Sequence, residues 1–150
     1  MAEAKFLENI EENRIEEIEK KMEQAVEGIT PFRLWAEGVG AFPNLSSPRV
    51  IWVGIKAEDN NPLPLLQRGL EEELSMLGFE REDRTFHPHL TIGRIKYLED
   101  KKHLVDGLRG LADTKVGEFW VEGITLFKSE LKPTGAVYTK LKEVRLKSSQ

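Results

Sequence analysis

Two of the three histidines in this chain fall within the stretch Thr85-Phe86-His87-Pro88-His89-Leu90-Thr91-Ile92-Gly93-Arg94. Side chains of an extended strand alternate between its faces, so His89 and Thr91 project together while Leu90 and Ile92 feed the other side. An imidazole that exchanges a proton near neutral pH then stands one strand repeat from a hydroxyl able to hydrogen-bond an anionic oxygen. That pairing suits chemistry at phosphate. A His and a Thr on a solvated strand face have the same spacing, so the neighbouring residues must add weight. Pro88 stands immediately before the strand and Arg94 brings a cation. Strict alternation puts Arg94 opposite Thr91, and it joins the pair only if a bulge or bend near Gly93 turns the chain.

The remaining candidates are weaker. His87 shares a nominal face with His89 but lies beside it, which reads as an edge or structural position. His103 opens a polar helix and reads as solvated. Phe42 and Tyr138 are candidates for stacking on a nucleobase. Trp52 lies in the most apolar strand of the chain and reads as core; Trp35 and Trp120 read as packing or surface residues.

These residues need elements to position them, and the hydrophobic pattern switches repeatedly between helical and strand periods. A helix is predicted over Asn13–Val26, with Ile15, Ile18, Met22 and Val26 inward, ended by Gly28 and Pro31. Strands are predicted at Phe32–Val39 and Val50–Ile55, the second covered on both faces, with a turn-rich loop through Phe42–Pro48 between them. A helix at Leu63–Leu77 buries Leu66, Leu70, Leu74 and Leu77 and closes at Gly78. His89–Ile95 is a strand, and Lys101–Leu111 a short helix with Leu104, Leu108 and Leu111 inward. Strands at Glu118–Lys128 and Val137–Leu146, joined by a turn at Lys132–Gly135, finish the chain. Helices interleaved with hairpin-linked strands indicate an α+β fold with antiparallel or mixed sheets.

Composition bounds the function. A chain of 150 residues buries roughly 68–70% of its extended surface and sustains one core unaided. Lys and Arg number 22 against 26 Asp and Glu, a net charge of −4, which excludes a protein that coats nucleic acid and leaves room for a local basic pocket. The absence of cysteine excludes disulfides, thiolate metal sites and cysteine nucleophiles. No apolar run is long enough to span a bilayer and the N-terminus is charged, so a cytoplasmic location without membrane association is expected.

His89-Leu90-Thr91-Ile92-Gly93-Arg94, preceded by Phe86-His87-Pro88, resembles the second His-x-Thr-x motif of the RNA 2′,3′-cyclic phosphodiesterases, also called the 2′-5′ RNA ligase family, among the two-histidine phosphoesterases. Gly38–Pro43 with Arg49–Gly54 is similar to the family's central hairpin, Leu74–Phe79 to the end of its second helix, and Ser129–Tyr138 to its closing turn and strand. The resemblance implies a single bilobed α+β domain over 1–150, with two antiparallel or mixed sheets flanking a cleft. It implies hydrolysis of an RNA 2′,3′-cyclic phosphate to a 2′-phosphate, with 2′-5′ ligation in some members, without metal or other cofactor. By resemblance His89 is one of an acid–base pair, Thr91 an oxygen donor and Arg94 a phosphate contact, with Tyr138 and Phe42 as further substrate contacts.

The family's first motif reads His-x-Thr-Leu-Lys-Phe-Leu-Gly. Here Lys5-Phe6-Leu7 fits its tail, Glu8 replaces the glycine, Met1 occupies the histidine's place and Glu3 the threonine's. The expectation is a member lacking the N-terminal strand and helix and the first catalytic pair, and therefore weak or inactive. The alternative is a non-catalytic module that recognises RNA ends or nucleotides with its one His-x-Thr strand. Self-association or domain exchange through an exposed sheet edge is expected, more readily than for a complete relative.

Overall fold

The computed structural model describes Lys5, Leu7, Thr85 and residues 9–82 and 87–148. The expectations placed on Met1, Glu3, Phe6, Glu8 and Phe86 fall outside the described residues. Along the chain run a 3-10 turn at Glu12–Arg14, then α1 (Ile15–Ala25), β1 (Phe32–Phe42), β2 (Val50–Ala57), α2 (Leu63–Ser75), β3 (His89–Arg94), α3 (Lys101–Gly110), β4 (Lys115–Val121), β5 (Gly123–Lys132) and β6 (Gly135–Arg145). They form two compact units, one from Arg33–Asp59 and Thr85–Trp120, the other from 9–32, 60–82 and 121–148.

The first unit holds a four-stranded sheet in the order β3-β2-β1-β4, with β2 antiparallel to both β1 and β3. One face of its centre is apolar: Leu34, Ala36 and Ala41 of β1 and Val53 and Ile55 of β2 are buried. The register runs Ala36↔Ile55 and then Val39↔Val53, so β1 carries an extra residue at Glu37–Gly38. Gly38 adopts φ +80°, and a Cβ there would sit 2.7 Å from the Ala112 carbonyl oxygen. Only glycine meets both demands cheaply. The bulge docks the turn after α3, with Gly38 N–H donating to Thr114 O (2.9 Å) and Val39 N–H to Leu111 O (3.3 Å).

The second unit packs α1 against α2 and β6. Ile18 is its most deeply buried large side chain, accompanied by Met22, Leu66, Leu74 and Val144. In α1 Ile18 and Met22 are buried as predicted and Ile15 is half-buried; α2 ends at Ser75 and buries Leu66 and Leu74 of its predicted stripe, with Leu70 and Leu77 half-buried and Glu71 buried at the neighbouring position. Lys142 of β6 reaches Glu19 (2.9 Å) and Glu16 (3.6 Å) of α1, and Lys21 reaches Glu73 of α2 (3.0 Å). The hydrogen bond that Lys142 donates to Glu19, with the two glutamate charges, raises the Lys142 pKa above the ordinary lysine value. β5 and β6 form an antiparallel hairpin with Lys132 opposite Gly135 across a two-residue turn.

Three expectations are corrected. The predicted strand Glu118–Lys128 is two strands: β4 ends at Val121 in the first sheet and β5 begins at Gly123 in the second. β2 is not covered on both faces, since Val53 and Ile55 are buried while Val50, Trp52 and Gly54 on the opposite side are half-buried. An unbroken apolar run does not report how many faces are covered. In α3 the buried residues are Val105 and Leu108, whereas Leu111 is exposed because the helix ends at Gly110.

Candidate active site

The face of the first sheet away from its apolar side carries the histidine. β3 pairs with β2 as Gly54↔His89, Val53↔Leu90 and Trp52↔Thr91, so His89 and Thr91 share the side of Gly54 and Trp52, about 6.6 Å apart along the strand. The register then shifts, and the following pairs are Ile51↔Gly93 and Val50↔Arg94. One step on β2 is matched by two on β3, which makes Ile92 the extra residue. Val50 lies on the same side as Trp52, and Arg94 opposite Val50 therefore projects from the same face as His89 and Thr91. The bulge near Gly93 on which Arg94 depends is present.

His89 is fixed by its own chain. Its Nδ1 lies 2.7 Å from the His87 carbonyl oxygen. A carbonyl only accepts, so Nδ1 carries the proton and the neutral ring presents Nε2 as its basic nitrogen. His87 thus serves through its backbone, while its side chain is exposed. His103 is also exposed, and its backbone N–H is capped by Asp100 Oδ1 (2.9 Å).

An aromatic group stands beside the imidazole. The Phe42 ring meets His89 edge-on at 5.2 Å between centroids and Trp52 at 5.5 Å, and Trp52 lies 6.3 Å from His89. Edge contacts of this kind orient the imidazole without occupying its nitrogens. Phe42 is 40% exposed, enough to present an edge to a ligand. Trp52, expected in the core, belongs instead to this face. Its indole is laid across β1 at Gly40, where a Cβ would come 2.2 Å from Trp52 Cζ2. Its Nε1 is buried without a hydrogen-bond partner among the described residues. The available signal was the glycine paired with it across the hairpin.

Thr91 and Arg94 are exposed, with hydroxyl and guanidinium open to solvent. Imidazole, hydroxyl and guanidinium on one face make a strand that can hold an anionic oxygen and exchange a proton beside it. Tyr138 lies in the second unit, on β6 opposite Ser129, and is half exposed. Trp35 donates from Nε1 to Glu37 (3.2 Å), and Trp120 is exposed. Among the described residues no three His, Asp or Glu side chains converge as metal ligands would. No helix among them is long and apolar enough to cross a membrane.

Comparison with known proteins gives one consistent result. Residues 3–133 match the family model described as the 2′-5′ RNA ligase superfamily. The chain is 38% identical over 139 residues to a Methanocaldococcus jannaschii protein named RNA 2′,3′-cyclic phosphodiesterase, covering 93% of this chain and 76% of that one. A Methanothermobacter thermautotrophicus protein of the same name is 34% identical over 142 residues, covering 95% and 76%. Among solved structures, one from Thermus thermophilus superposes with a TM-score of 0.71 at 31% identity, over 97% of this chain and 76% of that one. Another, described as a phosphoesterase, gives 0.61 at 23% identity over 94% and 73%, a likeness of fold.

Proposed function

Since the chain belongs to the 2′-5′ RNA ligase superfamily, we propose that it is a hydrolase that opens RNA 2′,3′-cyclic phosphates to 2′-phosphates. The observation that carries this reading is the placement of Arg94 beside Thr91 and His89 by the β3 bulge. Relatives named for the same reaction support the substrate class.

In the reaction, water adds to phosphorus and the bond to the 3′ oxygen breaks. One group takes a proton from the water and another returns a proton to the departing oxygen. His89 performs one of these two transfers through Nε2, since Nδ1 is committed to the His87 carbonyl. The Thr91 hydroxyl and the Arg94 guanidinium donate to the non-bridging oxygens, where charge grows in the transition state. Phe42 orients the imidazole and offers an edge to the terminal nucleoside.

The 150 residues contain a single His-x-Thr. They supply one imidazole of the pair by that motif, and their turnover is accordingly weak. The test is incubation with adenosine 2′,3′-cyclic phosphate and with an oligoribonucleotide carrying the same terminus, with the products resolved by chromatography. Slow formation of the 2′-phosphate above background is expected. Binding without turnover would replace the hydrolase by the non-catalytic RNA-end module; neither binding nor turnover would overturn both.

We also propose self-association through the β5–β6 hairpin. Its ladder has two strands among the described residues, and Phe127, Leu131, Val137 and Tyr138 on it are exposed. Unpaired backbone edges and exposed apolar side chains favour pairing with a second copy. Light scattering is expected to give a mass that rises with concentration; a constant monomer mass overturns this.

A further inference from the structure

Immediately beyond Arg94 the β2–β3 ladder continues by one bond, Ile95 N–H to Arg49 O (2.8 Å). From there the chain encloses an open pocket of about 290 Å³. Its lining includes Pro48 and Ile95 together with Arg49, Lys96, Tyr97 and Lys101. The last four are exposed, Tyr97 at 80%. No carboxylate lines the pocket, although carboxylates outnumber cations in the whole chain. Among the described residues none of the three cations has an ion-pair partner.

The N-terminus of α3 carries its carboxylate at the cap, Asp100, which accepts from the His103 N–H (2.9 Å). The positive end of a helix dipole favours acidic residues in the first turn. α3 instead opens Lys101-Lys102-His103, with no acidic residue in that turn. Three cations that line one pocket and have no ion-pair partner among the described residues are arranged for an external anion, Lys101 among them in the first turn of α3.

We infer that this pocket holds a backbone phosphate of the RNA strand on the 5′ side of the terminal cyclic phosphate, with Tyr97 available to stack the adjoining base. The inference rests on the cyclic-phosphate reading of the neighbouring face. A 2′,3′-cyclic phosphate exists only at the 3′ end of a strand, so every further phosphate lies to its 5′ side. The chain from Thr91 to Lys96 spans at most ~16 Å, and an oligonucleotide can occupy both positions at once where a mononucleotide offers a single phosphate. The pocket therefore selects RNA ends over free cyclic nucleotides.

The test compares two ligands that the reaction leaves intact: a pentaribonucleotide ending in a 2′-phosphate, and a nucleoside 2′-monophosphate. Binding is measured by calorimetry across a salt series for the native chain and for the combined Arg49→Ala, Lys96→Ala, Lys101→Ala variant. Lys20→Ala, an exposed charge on the other unit, serves as control. The native chain is expected to bind the pentanucleotide at least tenfold more tightly than the mononucleotide. The triple variant loses that advantage, and its log–log salt slope falls by ~0.7, the value for one phosphate of a single strand. Its mononucleotide affinity stays within twofold, which also shows that the site face is intact. Equal affinities in the native chain, or an advantage that survives in the triple variant, overturn the inference. Binding of neither ligand overturns the reading of the site itself.

Discussion

Replacing His89 with alanine is expected to bring the slow hydrolysis of a 2′,3′-cyclic phosphate down to background, because a positioned acid or base contributes on the order of 10²–10⁴ in rate. The argument begins with the hydrogen bond. Nδ1 of His89 is held 2.7 Å from the His87 carbonyl oxygen, which leaves Nε2 as the proton-transfer nitrogen. Alanine removes that nitrogen but neither the Thr91 hydroxyl nor the Arg94 guanidinium. Product binding should therefore survive within severalfold while turnover disappears. His89→Asn is the informative second variant, because its amide occupies similar space and cannot take up a proton. Steady-state rates and product affinities on both variants check this. Retention of turnover by either would remove His89 from the mechanism.

Gly40→Ala is expected to disrupt the same face from across the sheet. A methyl group at position 40 would lie 2.2 Å from Trp52 Cζ2 and 2.4 Å from Cη2, so the indole must leave its seat on β1. Overpacking of this kind costs about 1–3 kcal/mol. The displaced ring takes with it the contacts to Phe42 and His89 at 5.5 and 6.3 Å, so the imidazole loses one of its two ring neighbours and the other, Phe42, loses its support. Lower stability in urea, altered tryptophan fluorescence and at least tenfold slower hydrolysis are expected together. The assignment to Trp52 is checked by a double-mutant cycle. In a Trp52→Leu background the added methyl finds room, and the stability cost of Gly40→Ala should shrink. An undiminished cost would place the strain elsewhere in β1.

Whatever depends on near neighbours in the chain was legible from the residues. The apolar spacing through α1 and α2 located both helices, because a buried stripe repeats with the helical turn. His89 and Thr91 share a face for an equally local reason, the alternation of a strand. The position of Arg94 was legible only as a condition, since it depends on how β3 registers with β2. One extra residue at Ile92 reverses every side chain beyond it.

Tertiary structure decided the rest. Trp52 looks like core in an apolar run, and it joins the site face because Gly40, on another strand, leaves a seat for its indole. The run from Glu118 to Lys128 reads as one strand, yet the two sheets divide it at Glu122. Arg49 and Lys101 are 52 positions apart by their numbers and line one pocket. Alternation and helical period act between residues a few positions apart and are written into the chain. Register, sheet membership and the convergence of distant cations arise only when separate segments pair, and no single segment carries that information.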